Sequence, residues 1–406
     1  MEKVLKEKTM NSKPILRMMV CSDIHFGESE KYPEKYTDSI TEKERFESCV
    51  RFAYEYGELD AFVAVGDFVT WGTEKEFVDF KTSLGSVIKP ETKILLAMAS
   101  HEYFSEGVDA ANEKLLRIFG KQPIEHIDIK GYSLIAASTD ARCQTGLEKQ
   151  AQIASELSAA AEKDREKPVF FFFHPQFQNT VYGSAVLWRT AAIMRTVMNS
   201  PQIIAFGGHS HAPTNDPRNA HQRYFTCFGT GAIVGLSCCN ADRQPFKKAP
   251  DTAQFLIVEV YEKSTVKVIS VDGTNGRPLR EWVVEKPYDP DSFIYTDERY
   301  ASAKKPTFPE NAVLNAEYTD GKLKVSVTQA SDGEERVPGY HFAVKNSDGY
   351  IVNQFGIGSG YHFYKLPEKA EAETELSLKC GKYTLECSAI SFFDKASDKL
   401  KTEFDV

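Results

Sequence analysis

Aspartate and histidine recur in this chain at the ends of apolar runs. Asp23 and His25 stand two apart in "SDIHFG", Asp67 follows a glycine in "VGDFVT", Ser100, His101 and Glu102 close "LLAMASHEYF", His174 follows "PVFFFF", and His209 and His211 lie in "GGHSHAP". Five of the nine histidines occupy such ends. Each has an ordinary alternative: Asp23 capping a turn, His174 packing beside Pro175, Gly207 and Gly208 forming a bend. Their convergence is what matters, because open α/β sheets place their sites outside the carboxyl ends of strands. Buried carboxylates and imidazoles need partners, and metal ions supply them for all of these groups together. Donors of this kind, without thiolates, favour manganese, iron, zinc or cobalt over copper(I) or an iron-sulfur cluster. They outnumber what one tetrahedral ion uses. Two ions roughly 3.5 to 4 Å apart, sharing a carboxylate, would use them all, activate a water and clamp the oxygens of an in-line displacement at phosphorus.

The elements that must position these residues are visible as alternation. Apolar runs at 15–22, 60–66, 93–99, 132–138, 168–173 and 202–206 are continuous enough to be strands covered on both faces. Between them, 41–56 begins with Thr41 and Glu44 at capping-box spacing and carries Phe46, Val50 and Ala53 on one side, and 147–167 and 184–198 also read as helices. After His221 the texture becomes antiparallel, with strands in "YFTCFGTGAIVG", "AQFLIVEVY" and "STVKVISVD". The first region is therefore α/β with a mixed sheet.

A chain of 406 residues exceeds the size at which one core stops growing, so two domains are expected. A proline-rich polar linker at 286–309 separates the α/β region, 14–285, from 310–406, where helical periodicity disappears. About seven short strands in the latter, with turns at Asp320-Gly321 and Asp332-Gly333, suggest a β-sandwich. The formal charge of -9 argues against a nucleic-acid binder relying on a basic surface. No run of about 18 apolar residues spans a bilayer. The N-terminus makes a poor signal peptide and a good first strand, and eight scattered cysteines without CxxC pairs fit a reducing cytoplasm.

The order D-x-H, G-D, a histidine block after a strand, a lone His and G-H-x-H resembles the calcineurin-like metallophosphoesterases, including purple acid phosphatases and bacterial phosphodiesterases, over about residues 14–272. The resemblance implies a four-layer α/β/β/α sandwich. It makes Asp23, His25 and His211 ligands of a first metal, Asp67 a bridge, and His174 and His209 ligands of a second. It also implies that a metal-bridging hydroxide attacks phosphorus of a phosphomonoester or phosphodiester while His101 assists the leaving group. Where this family carries G-N-H-D or G-N-H-E, with the asparagine a ligand, this chain has Ala99, Ser100, His101 and Glu102. Ser100 is a shorter, poorer ligand, so the second ion is expected to be weaker. Glu102 is expected to bond to backbone or to orient His101. The C-terminal region resembles a fibronectin type III or immunoglobulin-like module.

Asn179, Tyr182 and Arg218 lie near the ligands in sequence and are candidates for substrate contact, with helix capping, packing and a solvated loop as their alternatives. Tyr103 and Phe104 could flank a leaving group or simply pack. The partner expected is a small phosphoester, with the sandwich a candidate surface for homo-oligomerisation. Two other readings stay open: a metallophosphoesterase-like binding or structural protein that has lost turnover, favoured by Ser100, and a DNA-processing nuclease, disfavoured by the acidic charge.

Overall fold

The structure, a computed structural model, describes residues 13–36, 40–141, 144–184, 190–238 and 252–406. The described residues of Met1–Leu236 and Ala249–Thr296 form one compact unit, and those of Ser237–Lys248 and Asp297–Val406 form another.

Twelve strands build the first unit. They are β1 (Leu16–Cys21), β2 (Ala61–Val65), β3 (Lys93–Ala97), β4 (Ile124–Ile129), β5 (Tyr132–Ala137), β6 (Val169–Phe173), β7 (Ile203–Gly207), β8 (Ala220–Gln222), β9 (Thr226–Gly229), β10 (Gln254–Val260), β11 (Val266–Asp272) and β12 (Pro278–Val284). They form two six-stranded sheets, ordered β12-β11-β10-β1-β2-β3 and β4-β5-β6-β7-β9-β8. Within the first sheet β1, β2 and β3 are parallel, and within the second β5, β6, β7 and β9 are parallel. All five strands that precede the His and Asp motifs belong to these parallel sets.

Successive side chains of a strand point to opposite faces, and here both faces are buried. Val20, Val63 and Leu95 of one sheet share a core cluster with Leu134, Phe170 and Phe206 of the other. Their neighbours in sequence turn outward: Phe62 and Leu96 meet Phe46 and Phe80 of helices Glu42–Glu55 and Glu74–Val87, and Ile135 and Phe171 meet Ile153 and Leu157 of helix Leu147–Lys163. That double coverage is why the strands read as unbroken apolar runs.

The capping box predicted for Thr41 and Glu44 is present, with Glu44 N donating to Thr41 Oγ1 at 3.3 Å and Thr41 N to Glu44 Oε2 at 2.9 Å. The helix expected at 184–198 is Ala191–Val197, with 185–189 outside the described residues. Of "YFTCFGTGAIVG", only Thr226–Gly229 is strand. Among the described residues, no helix is long and apolar enough to cross a membrane.

Among the described residues, the second unit carries seven strands, Leu314–Thr319, Lys322–Thr328, Gly339–Asn346, Ile351–Gly358, Lys369–Glu375, Lys382–Ile390 and Leu400–Asp405, in a three-stranded and a four-stranded sheet. Leu323, Val325 and Val327 of one sheet and Tyr340, Phe342 and Leu385 of the other belong to a single core cluster. The segment read as linker is not wholly irregular, since it contains a short helix at Glu298–Ser302.

Candidate metal centre

Each ligand candidate sits where a parallel strand ends. Asp23 and His25 follow β1, Asp67 follows β2, Ser100 and His101 follow β3, His174 follows β6, and His209 and His211 follow β7. The turns that present them are unusual: Asp23, His25, Asp67, His209 and His211 all have φ between 51° and 69°. That left-handed region is uncommon for non-glycine residues and clusters at functional sites. Backbone hydrogen bonds hold the turns in place. Ile24 N and His25 N both donate to Asp67 O, at 2.9 and 3.1 Å, and Gly208 N donates to His174 O at 2.9 Å. His209 N donates to Asp23 Oδ2 at 3.1 Å, linking the loop after β7 to the loop after β1.

The side chains converge as three groups whose ligand atoms lie within 4.8 Å of one another: Asp23, His25 and His211; His25, Asp67 and His101; Asp67, His174 and His209. Asp23 Oδ1 is 3.1 Å from His211 Nε2 and 3.9 Å from Nε2 of both His25 and His174, and Asp67 Oδ2 is 3.1 Å from His174 Nε2. Asp23, Asp67 and His174 are fully buried or nearly so.

The other ring nitrogens show what these contacts are for. Nδ1 of His101, His174 and His211 meets the carbonyl oxygens of Thr70, Val65 and Gly235 at 2.7, 2.6 and 2.9 Å. A carbonyl only accepts, so in the neutral ring Nδ1 carries the proton and Nε2 presents a lone pair. In His174 and His211 that lone pair faces a carboxylate oxygen. Two acceptors opposed at 3.1 Å in a buried site repel unless a proton or a metal ion lies between them, and bonds of about 2.1 Å to one ion would separate adjacent donors by about 3.0 to 3.4 Å. Carbonyl-oriented imidazoles are also the usual second layer of a metal site. Asp23 Oδ1, buried and without a hydrogen bond among the described residues, fits the same need. The donor set therefore fits metal ions.

Two glycines of the motifs are explained by this crowding. A Cβ on Gly66, where φ is +83°, would come within 2.6 Å of His174 Nδ1, and one on Gly208 within 2.6 Å of Ser22 Oγ and 2.8 Å of Asp23 Oδ2. Burial and the neighbouring imidazoles push the pKa of His25 down to about 3 and that of His209 to about 4. Burial works to raise the carboxyls of Asp67 and Asp23. When protonated, His174 first and then His101 and His25 outweigh it at Asp67, and His211 and His174 at Asp23, so that without metal both carboxyls stay below the usual range.

Ser100 reaches the centre through Asp67. Its hydroxyl lies 3.1 and 3.2 Å from the two oxygens of that carboxylate, and His101 N donates to Asp67 Oδ1 at 3.0 Å. Glu102 is buried beneath them, and its carboxylate accepts from four backbone groups: Asp67 N at 3.2 Å, Phe68 N at 2.7 Å, Val69 N at 3.2 Å and Ala99 N at 2.8 Å. It clamps the loop that carries Asp67 to the loop that carries Ser100 and His101, which is the first of the two roles expected of it, bonding to backbone rather than orienting His101.

The residues considered for substrate contact are distributed differently. Arg218 is buried and forks onto Asp216, Nε to Oδ1 at 3.0 Å and Nη2 to Oδ2 at 2.6 Å, with its guanidinium 3.8 Å from the centre of the Tyr182 ring. Its charge is already met. Asn179 lines a cleft with Met194, Arg223 and Tyr224 whose walls include none of the metal-ligand candidates. Tyr103 is buried, with its hydroxyl on Thr139 O at 2.8 Å, whereas Phe104 packs against His101 with ring centres 4.5 Å apart. Trp71, beside Phe104 at 5.7 Å, went unnoticed in the sequence; its only signal there is an aromatic residue four positions after Asp67.

No protein-family model matches the chain, and no curated protein does. Among solved structures it is similar to a purple acid phosphatase from yellow lupin (Lupinus luteus) seeds, at 13% identity and a TM-score of 0.49, covering 67% of this chain and 55% of that one. It is also similar to GAP50, the anchor in the inner membrane complex of Plasmodium, at 10% identity and a TM-score of 0.43, covering 67% and 89%. The fibronectin(III)-like modules of Clostridium thermocellum CbhA match at 17% identity and a TM-score of 0.19, covering 41% and 74%. The chain thus spans little more than half the length of the lupin phosphatase, and what its site can do follows from its own geometry.

Proposed function

We propose that this chain is a metal-dependent phosphoester hydrolase of the calcineurin-like metallophosphoesterase superfamily. On this reading residues 14–285 form its four-layer α/β/β/α catalytic domain, and 310–406 a fibronectin- or immunoglobulin-like sandwich. The observation that carries the proposal is the position of Asp67, which falls in one ligand group with His25 and in another with His174 and His209. A carboxylate shared in this way is what a two-ion centre needs and a single structural ion does not.

Asp23, His25 and His211 would hold one ion and His174 and His209 the other, with Asp67 between them. Bound manganese, iron, zinc or cobalt supplies a water of lowered pKa and neutralises charge on phosphoryl oxygens. The protein's part is orientation, through Thr70, Val65 and Gly235 on the imidazoles, and exclusion of bulk water by burial. His101 is half-buried, its side chain 28% accessible and its Nε2 4.0 Å from Asp67 Oδ2. With Nδ1 fixed on Thr70 O, an imidazolium there holds a proton at Nε2 for the leaving-group oxygen of a phosphoester. Ser100 supports a weaker second site, because its hydroxyl is already bonded to Asp67. The same serine favours the second reading, a metal-binding protein without turnover.

The deciding experiment is hydrolysis of an aryl phosphate and a bis-aryl phosphodiester by chelated protein reloaded with manganese or zinc, with bound metal counted by elemental analysis. Turnover that follows metal content supports the enzyme. Two bound ions with no turnover of either ester would leave the binding protein.

A further inference from the structure

Beyond His101 the centre continues as a row of rings. His25 meets His101 edge-on with centres 4.5 Å apart, His101 meets Phe104 at 4.5 Å, Phe104 meets Trp71 at 5.7 Å, and the ammonium of Lys31 stands 5.2 Å from the Trp71 ring centre. The members come from three loops, those after β1, β2 and β3, which also deliver Asp23, Asp67 and Ser100. The row is not core packing. Tyr103, the intervening residue, is buried and bonded, while His101, Phe104 and Trp71 are half-buried and Lys31 is exposed, so the row runs from the ligand cluster to solvent. The Trp71 backbone is fixed on both sides, its N–H donating to Glu76 Oε2 at 3.0 Å and its carbonyl accepting from Ser105 N at 2.9 Å. Its indole Nε1 is buried without a hydrogen-bond partner among the described residues, and its ring meets Phe104 at an interplanar angle of 49°.

We infer that Phe104 and Trp71 form a leaving-group subsite that selects phosphoesters whose leaving group carries a planar aromatic ring, either an aryl group or a nucleobase. This rests on the hydrolase reading, in which His101 protonates the leaving-group oxygen and the leaving group must therefore lie on the His101 side. Aromatic faces favour a ring over an alkyl chain of equal area through offset or edge-to-face stacking. A nucleobase uses the same surface, since every base presents a π-face. Lys31, at the solvent end, would suit a leaving group that also carries negative charge.

The test compares kcat/KM for a phenyl ester and an alkyl ester of matched leaving-group acidity in the metal-loaded protein, Trp71→Ala and Phe104→Ala, with a nucleoside phosphodiester as a third arm. The phenyl-over-alkyl ratio should fall about tenfold in each variant, and the nucleoside arm shows which ring source is preferred. Trp71→Phe, which keeps a ring, should restore most of the ratio and guards against misfolding. A ratio unchanged by the alanine variants would overturn the subsite. If wild type hydrolyses nothing, the hydrolase reading fails separately. The subsite is then judged by calorimetric affinity for phenylphosphonate against methylphosphonate, where equal affinities would refute it.

Discussion

Replacing Glu102 with glutamine tests whether the site depends on a buried carboxylate that touches no substrate. All four neighbours of that carboxylate are N–H donors, from Asp67, Phe68, Val69 and Ala99 at 2.7 to 3.2 Å. A glutamine side chain offers one oxygen. Its amide nitrogen would face whichever pair of N–H groups the oxygen does not serve, so two of the four donors are stranded in a buried site. A buried donor without an acceptor costs about 1 to 3 kcal/mol, which puts Glu102→Gln at about 2 to 6 kcal/mol. Urea denaturation of the chelated protein measures this at pH 7. Metal titration of the same variant should show weakened binding, because the loop bearing Asp67 is what has been loosened. The ionisation state is the point at risk. Burial, and then the charge of Asp67, push the pKa of Glu102 up to about 8, while the backbone donors from Ala99 and Val69 pull it down. A neutral carboxylic acid would turn a proton toward one of the donors, so the geometry argues for the carboxylate. If Glu102 is neutral at pH 7, glutamine is nearly isosteric and stability barely changes. A loss below about 1 kcal/mol, smaller than one stranded donor, would therefore refute the cradle.

Other perturbations separate the remaining contributions. Ser100→Ala removes the hydroxyl that braces Asp67 and should weaken the more loosely held ion about tenfold, the range for losing an outer partner of a metal ligand; Ser100→Asn, which adds an amide oxygen, should raise its occupancy, and elemental analysis showing the same metal content in both variants would count against a role for this residue. Gly208→Ala puts a Cβ 2.6 Å from Ser22 Oγ and 2.8 Å from Asp23 Oδ2, and should lose metal binding and about 1 to 3 kcal/mol, whereas Gly85→Ala, in helix Glu74–Val87 with nothing within 4 Å, should be neutral or stabilising in a thermal melt. The chelated protein should lose stability as pH falls from 7 to 5. His25 and His209, with pKa values of about 3 and 4, stay neutral there, whereas the unfolded chain takes up protons near 6.5, so their contribution is present above 6.5 and lost on acidification. The size is at most about 2 kcal/mol per imidazole, and in Glu102→Gln, which removes the opposing titration of that buried carboxyl, a flat urea midpoint over that range would show that these rings are not held neutral.

The candidate ligands were legible in the sequence because the physics that buries a strand on both faces also makes its end conspicuous. Asp67 and His174 each follow an apolar run closely, and the structure brings both into the cluster. Helix Glu42–Glu55 was legible through Thr41 and Glu44. Helix Glu74–Val87 carries the same box at Thr73 and Glu76. Strands β4 and β12 lack the apolar-run signal: no position of β4 is fully buried, and β12 begins with Pro278 and carries Arg280 and Glu281. Arg218 could not be judged from spacing, because its ion pair with Asp216 closes within a single turn. Trp71 and Phe104 are 33 positions apart, and only the parallel pairing of β2 and β3 brings their loops together.

The least legible feature is the backbone of the ligands themselves. A sequence advertises left-handed conformations through glycine, yet at five positions of this centre the chain uses Asp or His instead. Each such residue costs of order 1 to 3 kcal/mol, and the conformation persists only where surrounding bonds over-determine it. Those bonds are present: the Asp67 carbonyl receives two N–H groups from the β1 loop, Asp23 Oδ2 receives His209 N, and Glu102 receives three consecutive N–H groups, of Asp67, Phe68 and Val69. A turn optimised for stability would relax to glycine. Holding Asp and His there aims carboxylate and imidazole lone pairs at common points, and in a buried site that arrangement is repulsive until protons or metal ions lie between them. The strain is thus coupled to metal: binding removes the repulsion while the hydrogen-bond frame stays as it is. For that reason chelation should lower stability by more than the loss of any one ligand contact would suggest.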